Sequence, residues 1–477
     1  MTVQLRPHQV VALDKIINKI NEGSGTATGR IVMPTGAGKT FVEAAAIDYQ
    51  INNRAEGFTR IHLVLAPRIL LANQLINEFR NYGGTPYRAT AFHSGKHEPD
   101  YEKIKWNEFA TTSVKEIETE YVKAKKTGTD LVVFSTYHSC AKLAGIKFDT
   151  IIADESQYCV SENFNKSIKQ LTGKVKLFFT ATEKYTASNK GRGLNNEDVY
   201  GERIHTETAA NLIKLGLIVP PRLHIMYAST KDESRSIIDE VKELAVEQHS
   251  VTYPELGFSK ILFAMKGTDD VKTVGDNLDK LKQVLPDHDI YTITSKTGSL
   301  INGSPVRRED FLSNLKNAKN ALIFHYDILS EGIDVDGITG VALLRSLNLS
   351  KLLQTIGRAV RVYKPDPSSK RQAWVSVSVL NDNEDDKEQV TETVRAIRNG
   401  GYDISKETIL ETGNSRHSPD DKDIGDAYGD IKLNPSLWHI EEVLHEIEQD
   451  DFWNNIKQAV TTKDKFDLLF NKVSEAA

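Results

Sequence analysis

The segment from residue 30 to residue 40 reads Arg30-Ile31-Val32-Met33-Pro34-Thr35-Gly36-Ala37-Gly38-Lys39-Thr40. It joins a short apolar run to a turn with two glycines, and a helical pattern follows from Lys39 to Tyr49. A strand that leads through a glycine-containing turn into a helix is the context of a phosphate-binding loop. Gly36 and Gly38 allow the backbone to turn its N–H groups toward a phosphate, and the N-terminus of the helix adds positive charge.

The side chains of this loop have the chemistry needed to hold a nucleotide. We expect Lys39 to reach the β- and γ-phosphates and Thr40 to offer its hydroxyl to Mg²⁺. The full pattern also asks for a glycine six residues before Lys39, where this chain has Met33. The alternative is a strand–helix turn that binds nothing. The predicted nucleotide-binding residues of the loop are Pro34, Thr35, Gly36, Ala37, Gly38, Lys39 and Thr40.

An acidic pair, Asp154-Glu155, ends the apolar run from Thr150 to Ala153. Ligands bind beyond the carboxyl ends of the strands in open α/β sheets, so both carboxylates are placed for catalysis. We expect Asp154 to hold Mg²⁺ and Glu155 to orient the water that attacks the γ-phosphate. A surface Asp-Glu pair in a loop is the alternative interpretation of these two residues alone.

The segment from Gln354 to Arg361 is predicted to be a helix, with Gln354, Arg358 and Arg361 on one face. Both arginines are candidates to contact phosphate, because a guanidinium group matches phosphate geometry and stays charged. The alternative is a solvated cationic helix face. Gly357 argues against it, since a glycine inside a helix costs about 1 kcal/mol relative to alanine and needs a reason.

Short apolar runs that do not alternate with polar residues recur along the chain, separated by helical patterns. Such runs are typical of a parallel sheet that is covered on both faces, and they favour an α/β class. The predicted strands are Arg30–Met33, Ile61–Ala66, Asp130–Ser135, Thr150–Ala153, Val175–Phe179, Lys260–Met265, Ile290–Thr294, Ala321–His325, Gly340–Leu344 and Ala373–Leu380. The predicted helices include Lys39–Tyr49, Leu70–Phe79, Thr268–Leu285 and Arg307–Asn317. Together they predict a first domain over residues 1–225, a second over 226–380 and a small, mostly helical C-terminal region over 381–477.

Composition is that of a globular protein with more than one domain. The 477 residues are 39% hydrophobic and 26% charged, with a formal net charge of −6. Two cysteines, Cys140 and Cys159, cannot build a disulfide framework, and no segment looks like a signal peptide or a membrane span. We therefore expect a soluble, monomeric protein of the cytoplasm, with partner proteins possible.

Over residues 1–380 the motifs, in this order and spacing, resemble those of superfamily 2 helicases and translocases. The resemblance implies two tandem RecA-like domains, and it is highly specific for the superfamily. Its segments are Leu5–Gln9 (adenine-reading element), Met33–Thr40 (motif I), Ala66–Leu71 (motif Ia), Phe134–Ser139 (motif Ib), Asp154–Gln157 (motif II), Thr180–Thr182 (motif III), Ser330–Asp334 (motif V) and Gln354–Arg361 (motif VI).

Two departures from the best-known branches narrow the resemblance. The acidic motif reads Asp154-Glu155-Ser156-Gln157, which is neither DEAD nor DEAH, and Glu183 stands where a proline commonly follows Thr180-Ala181-Thr182. Both argue against a DEAD-box RNA helicase. The start of the chain and the segment Asn211–Leu223 look more like the branch with restriction-enzyme motor subunits, excision-repair helicases and phage branch-migration helicases.

The resemblance implies a nucleic-acid-stimulated ATPase that uses ATP and Mg²⁺, with DNA favoured over RNA and no membrane partner. It also implies a bacterial or phage-infected cell as the source. Its implied roles fall on four groups of residues. Nucleotide contacts outside the loop are implied for Arg6, Gln9, Gly332 and Asp334, and catalytic roles for Gln354, Arg358 and Arg361 beside Lys39 and Glu155. Nucleic-acid contacts are implied for Pro67, Arg68, Thr136, Tyr137, Ser295 and Thr297, and coupling of the two activities for Thr180 and Thr182.

Three alternatives share the same motifs. The chain could be a motor subunit of a restriction-type complex, an ATP-gated clamp that holds nucleic acid without unwinding it, or an RNA remodeller. A nuclease would need a cluster of acids with a lysine. Asp420, Asp421 and Lys422 supply those residue types, but in a segment without strand signals, which favours a solvated acidic loop.

Overall fold

The computed structural model describes residues 3–95, 110–186, 191–227, 236–294, 296–326, 335, 337–345, 347, 349–363, 365–379, 384–404 and 408–413. These residues divide into two compact units. Unit 1 ends at Ile218 and unit 2 begins at Val219. Each unit is built on one sheet.

Unit 1 contains an eight-stranded sheet in the order β4-β3-β5-β2-β6-β7-β1-β8. All neighbouring strands are parallel. The strands are β1 (Ala27–Val32), β2 (Ile61–Ala66), β3 (Tyr87–Phe92), β4 (Ala110–Thr111), β5 (Asp130–Thr136), β6 (Lys147–Ala153), β7 (Thr172–Thr180) and β8 (Glu202–Thr206). The helices are α1 (Pro7–Glu22), α2 (Lys39–Asn52), α3 (Ile69–Tyr82), α4 (Val114–Thr127), α5 (Glu162–Gln170), α6 (Glu197–Tyr200) and α7 (Ala209–Lys214).

The inner strands of this sheet are buried on both faces, which is why their sequences are apolar runs. Every residue of β2 and of β5 is buried. Strands of this kind need a helix between them to return the chain to the same edge, and the α2 and α3 segments provide that connection. The carboxyl ends of all eight strands therefore lie at one edge of the sheet.

Unit 2 contains a nine-stranded sheet in the order β13-β12-β11-β14-β10-β15-β16-β9-β17, parallel except for the hairpin strands β12 and β13. The strands are β9 (Pro221–Tyr227), β10 (Ser259–Ala264), β11 (Asp289–Thr294), β12 (Gly298–Ile301), β13 (Ser304–Val306), β14 (Asn320–His325), β15 (Gly340–Leu343), β16 (Ala373–Val379) and β17 (Ile409–Gly413). The helices are α8 (Ile237–Leu256), α9 (Thr268–Gly275), α10 (Leu278–Val284), α11 (Arg308–Asn317), α12 (Leu349–Ala359) and α13 (Glu384–Asn399).

The predicted class, two tandem α/β units with mostly parallel sheets, is confirmed. Two local predictions need correction. The predicted helix Thr268–Leu285 is divided into α9 and α10, with the break at Asp276 and Asn277. The predicted helix to Arg361 ends at Ala359, so Arg361 lies two residues beyond it.

The sequence predicts a separate C-terminal region after residue 380, but the first part of this region belongs to unit 2. Helix α13 packs against α12, and β17 pairs in parallel with β9. The remainder of the predicted C-terminal region, from residue 414, lies outside the described residues. In the described part of the chain, no helix combines the length and apolar character required to span a bilayer.

Candidate functional site

Five adjacent strands of unit 1, in the order β5-β2-β6-β7-β1, carry the predicted motifs at their carboxyl ends. Backbone hydrogen bonds join the segments just beyond these ends. The Met33 N–H donates to Thr180 O at 2.9 Å, Asp154 N–H donates to Leu65 O at 2.9 Å, and Tyr137 N–H donates to Ala66 O at 3.1 Å. Motifs that are as much as 147 positions apart in sequence, from Met33 to Thr180, therefore share one edge.

The loop between β1 and α2 has the backbone that its glycines predict. Gly36 has a φ of 91° and Gly38 a φ of 76°, a region that disfavours residues with a side chain. A Cβ on Gly38 would also lie 2.4 Å from Gln9 Nε2. Neither position tolerates a larger residue without rearrangement. The turn leads directly into the first residue of α2, Lys39.

Gln9 braces this loop. Its Nε2 group donates to Ala37 O and to Gly38 O, both at 3.1 Å, and its Oε1 accepts from Arg6 N–H at 2.9 Å. The neighbouring His8 ring also contacts Ala37 O, at 2.8 Å. The predicted adenine contact of Gln9 would require its amide to exchange one of these bonds for the base, whereas the side chain of Arg6 is exposed.

Lys39 and Glu155 face each other where the loop meets the end of β6. Lys39 Nζ lies 3.9 Å from Glu155 Oε1 and donates to Met33 O at 3.4 Å, and the lysine is 9% exposed. Glu155 has a φ of 49°, which is unusual for a residue with a side chain. Backbone strain of this kind is typical of functional positions. The two residues with predicted roles in phosphate binding and water activation are thus brought together.

Gln157 connects Glu155 to the segment after β7, a link that the sequence analysis missed. Gln157 Nε2 donates to Glu155 Oε2 at 2.8 Å, and Gln157 Oε1 accepts from Thr180 Oγ1 at 2.7 Å. Thr182 N–H in turn donates to Thr180 Oγ1 at 3.0 Å. The two predicted coupling threonines therefore reach the predicted catalytic acid through one amide. The only signal in the sequence was the fourth residue of the acidic motif.

Asp154 is held from two sides. Its Oδ1 accepts from the Glu155 N–H at 2.8 Å, and its carbonyl oxygen accepts from the Tyr137 hydroxyl at 2.5 Å. Tyr137 is completely buried. Its hydroxyl therefore helps to fix Asp154, and the nucleic-acid contact predicted for Tyr137 stays a prediction for a side chain that is buried here.

A third carboxyl group, that of Glu43 on α2, lies beside Asp154. Glu43 has no exposed surface, and no N–H group donates to either of its carboxylate oxygens. Burial, together with the Asp154 charge, raises the pKa of Glu43 well above its ordinary value, although Lys39 opposes this shift. Burial and the Glu155 charge likewise raise the pKa of Asp154. If all three acids were ionised beside one lysine, negative charge would be in excess, and this repulsion is part of why the pKa values of Glu43 and Asp154 are raised.

A bound cation would offset this repulsion, and Mg²⁺ is the ion that the sequence predicts here. Thr40 and Asp154 would hold it, and it would neutralise charge on a phosphate chain. Among the residues that the structure describes, no group of three or more His, Cys, Asp or Glu side chains forms a metal-binding cluster of its own. Mg²⁺ does not need one, because it is usually bound through one or two carboxylates and the phosphates of a substrate.

Replacing Glu43 with glutamine is expected to stabilise the ligand-free protein at alkaline pH. A carboxyl group with a raised pKa in the folded state binds its proton more tightly there than in the unfolded chain. The protein therefore loses stability as the pH rises above the pKa that the group has in the unfolded chain. Glutamine cannot ionise. The variant should gain about 1 kcal/mol, a common size for one substitution, at about pH 8 and much less at about pH 5. Thermal unfolding at both pH values measures the difference.

Glu120 on α4 is the matched control, because its pKa is shifted in the opposite direction. Burial alone would raise the pKa of Glu120, but hydrogen bonds from Lys123 and Arg88 lower it overall. Glu120→Gln should therefore destabilise the protein at about pH 8. Equal pH dependence in both variants would contradict the assignment of excess negative charge to the Glu43 cluster.

The residues predicted to meet nucleic acid fall into three groups. Arg68 is exposed at the start of α3 and directly follows the buried Pro67. Thr136 is 3% exposed, and its hydroxyl donates to Ser139 Oγ at 3.2 Å, so only small parts of it reach the surface. In unit 2, Thr297 is exposed at the β11–β12 turn, where its backbone N–H donates to Thr294 Oγ1 at 2.9 Å. Ser295 lies outside the described residues.

The predicted arginines lie in unit 2 at the end of α12. Gln354 and Arg358 are one helical turn apart, and Arg358 is 8% exposed. Arg361 follows the helix and is half-buried. Gly357, which the sequence analysis singled out, is buried within α12. Gly332 and Asp334, the predicted nucleotide contacts of motif V, lie outside the described residues.

Glu183, the residue in place of the common proline, is the centre of a partly buried ion-pair network. It pairs with Arg30 of β1 at 3.0 Å and with Arg203 of β8, and its Oε2 accepts from the Tyr185 hydroxyl at 2.7 Å. Arg30 also pairs with Glu197 at 3.0 Å. The segment after Thr182 is therefore fastened to the strand that leads into the phosphate loop.

Comparison with known proteins agrees with the motifs. Residues 2–184 match the family described as "Type III restriction enzyme, res subunit". No curated protein matches the chain.

Two solved structures share the fold over most of the chain. One is the ATP-dependent Type ISP restriction-modification enzyme LlaBIII bound to DNA, with a TM-score of 0.67 and 17% identity, over 88% of this chain and 32% of that one. The other is a nuclease-deletion mutant of the Type ISP restriction-modification enzyme LlaGI in complex with a DNA substrate mimic, with a TM-score of 0.61 and 17% identity, over 85% and 30%. This chain spans about a third of the length of these enzymes. Residues 2–184 thus match a family of restriction-enzyme subunits, and the two solved structures share the fold of this chain.

Proposed function

We propose that the protein is a DNA-stimulated ATPase that moves along or separates duplex, forked or branched DNA. The observation that carries this proposal is that Lys39 pairs with Glu155 at 3.9 Å, while Gln157 hydrogen-bonds to both Glu155 and Thr180. The residues for which phosphate binding, water activation and coupling are predicted thus lie in one network, which supports the proposal. The domain match and the DNA named in the titles of both structural relatives favour DNA as the partner.

Hydrolysis of ATP would use the groups at this edge. The loop N–H groups and Lys39 would bind the phosphates, and Thr40 and Asp154 would hold Mg²⁺, which would offset the phosphate charge. Glu155 orients a water molecule and accepts its proton. The water oxygen bonds to the γ-phosphorus, the bond from phosphorus to the β–γ bridging oxygen breaks, and ADP and inorganic phosphate leave.

Arg358 and Arg361 are proposed, on the motif resemblance, to stabilise the charge that develops on the transferred phosphoryl group. Loss of the γ-phosphate would change the interactions of the Glu155 carboxylate. The hydrogen bonds of Gln157 would transmit that change to Thr180 and Thr182. Arg68 and Thr297 are proposed to hold the DNA backbone. Contacts of this kind go to phosphate and sugar, so we expect little sequence selectivity.

The test is the ATP turnover of the purified chain with duplex DNA, single-stranded DNA, forked DNA or duplex RNA, beside strand-displacement and triplex-displacement assays. We expect the greatest stimulation from DNA and ATP-dependent displacement of at least one DNA substrate. Lys39→Ala should abolish both activities, because the phosphates lose their amine. An ATPase that no DNA stimulates would refute the proposal.

The other outcomes separate the alternatives. DNA-stimulated turnover without displacement of a strand or a triplex identifies an ATP-gated clamp. Greater stimulation by RNA identifies an RNA remodeller. The family match favours a restriction-type motor among the alternatives, and cleavage of circular DNA with Mg²⁺ tests whether this chain also cuts. The candidate acids Asp420 and Asp421 lie outside the described residues.

A further inference from the structure

A buried lysine, Lys370, lies at the end of α12. It is 2% exposed, and its Nζ donates to three backbone carbonyl oxygens: Ile338 O at 2.6 Å, Arg361 O at 2.9 Å, and Ala359 O. An ammonium group has three N–H donors and no acceptor, so every donor is used. No other side-chain type offers three donors from one compact, charged point.

The three acceptors belong to segments with predicted catalytic or nucleotide contacts. Ala359 ends α12, where carbonyl groups lack partners within the helix and a cation is favoured. Arg361 is one of the two candidate phosphate-binding arginines. Ile338 leads into β15 and follows the motif V segment by four positions. One ammonium group therefore joins the backbone after motif V to the backbone around motif VI.

Stability alone is a weak reason for this arrangement. A charge is costly to bury, and buried ionic groups are often replaced by apolar residues without loss of stability. Burial and the nearby Arg361 lower the pKa of Lys370 to about 7, which shows how strongly the surroundings oppose the charge. Many helices end instead with a glycine, which needs no buried cation.

We propose that Lys370 is a positioning residue for Arg361, because it fixes the peptide from which the arginine side chain leaves the end of α12. This inference rests on the proposed ATPase function. Arg361 lies beyond the helix, where the Val219 N–H donates to Val360 O at 2.7 Å and Lys370 Nζ donates to Arg361 O at 2.9 Å. Of these two contacts, the one with Lys370 holds the carbonyl of Arg361 itself. A displacement of about 1 Å in a catalytic group can lower a rate by about a hundredfold.

Unit 2 offers a matched control in Lys260. This lysine is also 2% exposed, and its Nζ donates to Leu315 O at 3.0 Å and Lys316 O at 3.1 Å, near the end of α11. It is therefore a second buried ammonium at a helix C-terminus, far in sequence from the arginines. Lys370→Met and Lys260→Met remove the same group from equivalent surroundings.

The experiment compares thermal unfolding, kcat and the KM for ATP in DNA-stimulated turnover. Both Met variants should be less stable, and assays are run well below both unfolding temperatures. We expect Lys370→Met to lower kcat by about 10- to 100-fold with little change in KM, as a misplaced catalytic group does. Lys260→Met should keep kcat within about twofold. Equal kcat losses in the two variants, or none in Lys370→Met, would overturn the inference.

A double-mutant cycle tests whether Lys370 acts through Arg361. Lys370→Met combined with Arg361→Ala should turn over no more slowly than Arg361→Ala alone, because the arginine that Lys370 positions is already absent. Additive losses would contradict a positioning role. If Lys370→Met does not fold, Lys370→Arg and Lys260→Arg take its place, and only the former should lower kcat. A wild-type chain without ATPase activity would refute the proposed function instead.

Discussion

Glu155→Gln is expected to lower the ATP turnover number by about 10²- to 10⁴-fold, the usual contribution of a general base. Glutamine has the same size and can keep one hydrogen bond to Gln157, but its amide cannot accept the proton of the attacking water. The loss should appear in kcat, while binding of ATP and of DNA persists. Steady-state turnover and equilibrium binding of a labelled nucleotide measure the two effects separately.

Glu162→Gln is the control for this substitution. Glu162 begins α5 seven positions later, is exposed, and pairs with Lys166 one helical turn away at 2.9 Å. An exposed pair of this type contributes little to stability. The control should keep turnover within about twofold. Near wild-type turnover in Glu155→Gln would show that another group orients the water.

Arg358→Ala is expected to lower turnover by about 10³- to 10⁵-fold, the effect of losing an arginine that stabilises a transferred phosphoryl group. The affinity for ATP should change little, because that contact matters chiefly in the transition state. Arg358→Lys keeps the charge but not the planar fork, so it should restore only part of the rate. Pre-steady-state and steady-state phosphate release are the measurements.

The exposed Arg307 of unit 2 provides the comparison. Arg307 lies just before α11, where its guanidinium group bonds to the Asp310 carboxylate at 2.8 Å. Arg307→Ala removes the same side chain from a position with no predicted contact to phosphate. If Arg307→Ala and Arg358→Ala had similar turnover, whether near the wild-type value or strongly reduced, a specific role for Arg358 would be rejected.

Sequence patterns within a few residues predicted the inner strands and the loop between β1 and α2, but not the edge strands. The β1–loop–α2 segment could be predicted because strand burial, glycine conformation and helix initiation all act within a few residues. The edge strands β8 and β17 could not, since a strand at the edge of a sheet lacks the apolar run of an inner strand. Most residues of β8 are indeed exposed or half-buried. The extent of α12 was overestimated because helix ends depend on tertiary contacts.

In the candidate site, too, some residues could be identified from the sequence and others only from the fold. Residue types and spacing identified Lys39, Asp154 and Glu155, which the fold brings to one edge. The roles of Gln157, Tyr137 and Glu43 depend at least in part on partners distant in sequence, which are Thr180 for the first and Asp154 for the other two. The Tyr137 hydroxyl donates to the carbonyl oxygen of Asp154, which is 17 positions later in the chain. A pattern within a short segment does not reveal such a contact.

Strand β17 limits where the protein can be shortened. It pairs with β9 along its whole length, from Ile409 opposite Leu223 to Gly413 opposite Tyr227, so β9 is an interior strand. An expression fragment that stops at residue 380, the end of the second domain expected from sequence, would strip β17 and α13 away. It would leave an unpaired row of backbone amides and carbonyls, which invites edge-to-edge aggregation. Fragments intended for crystallisation should therefore extend beyond Gly413.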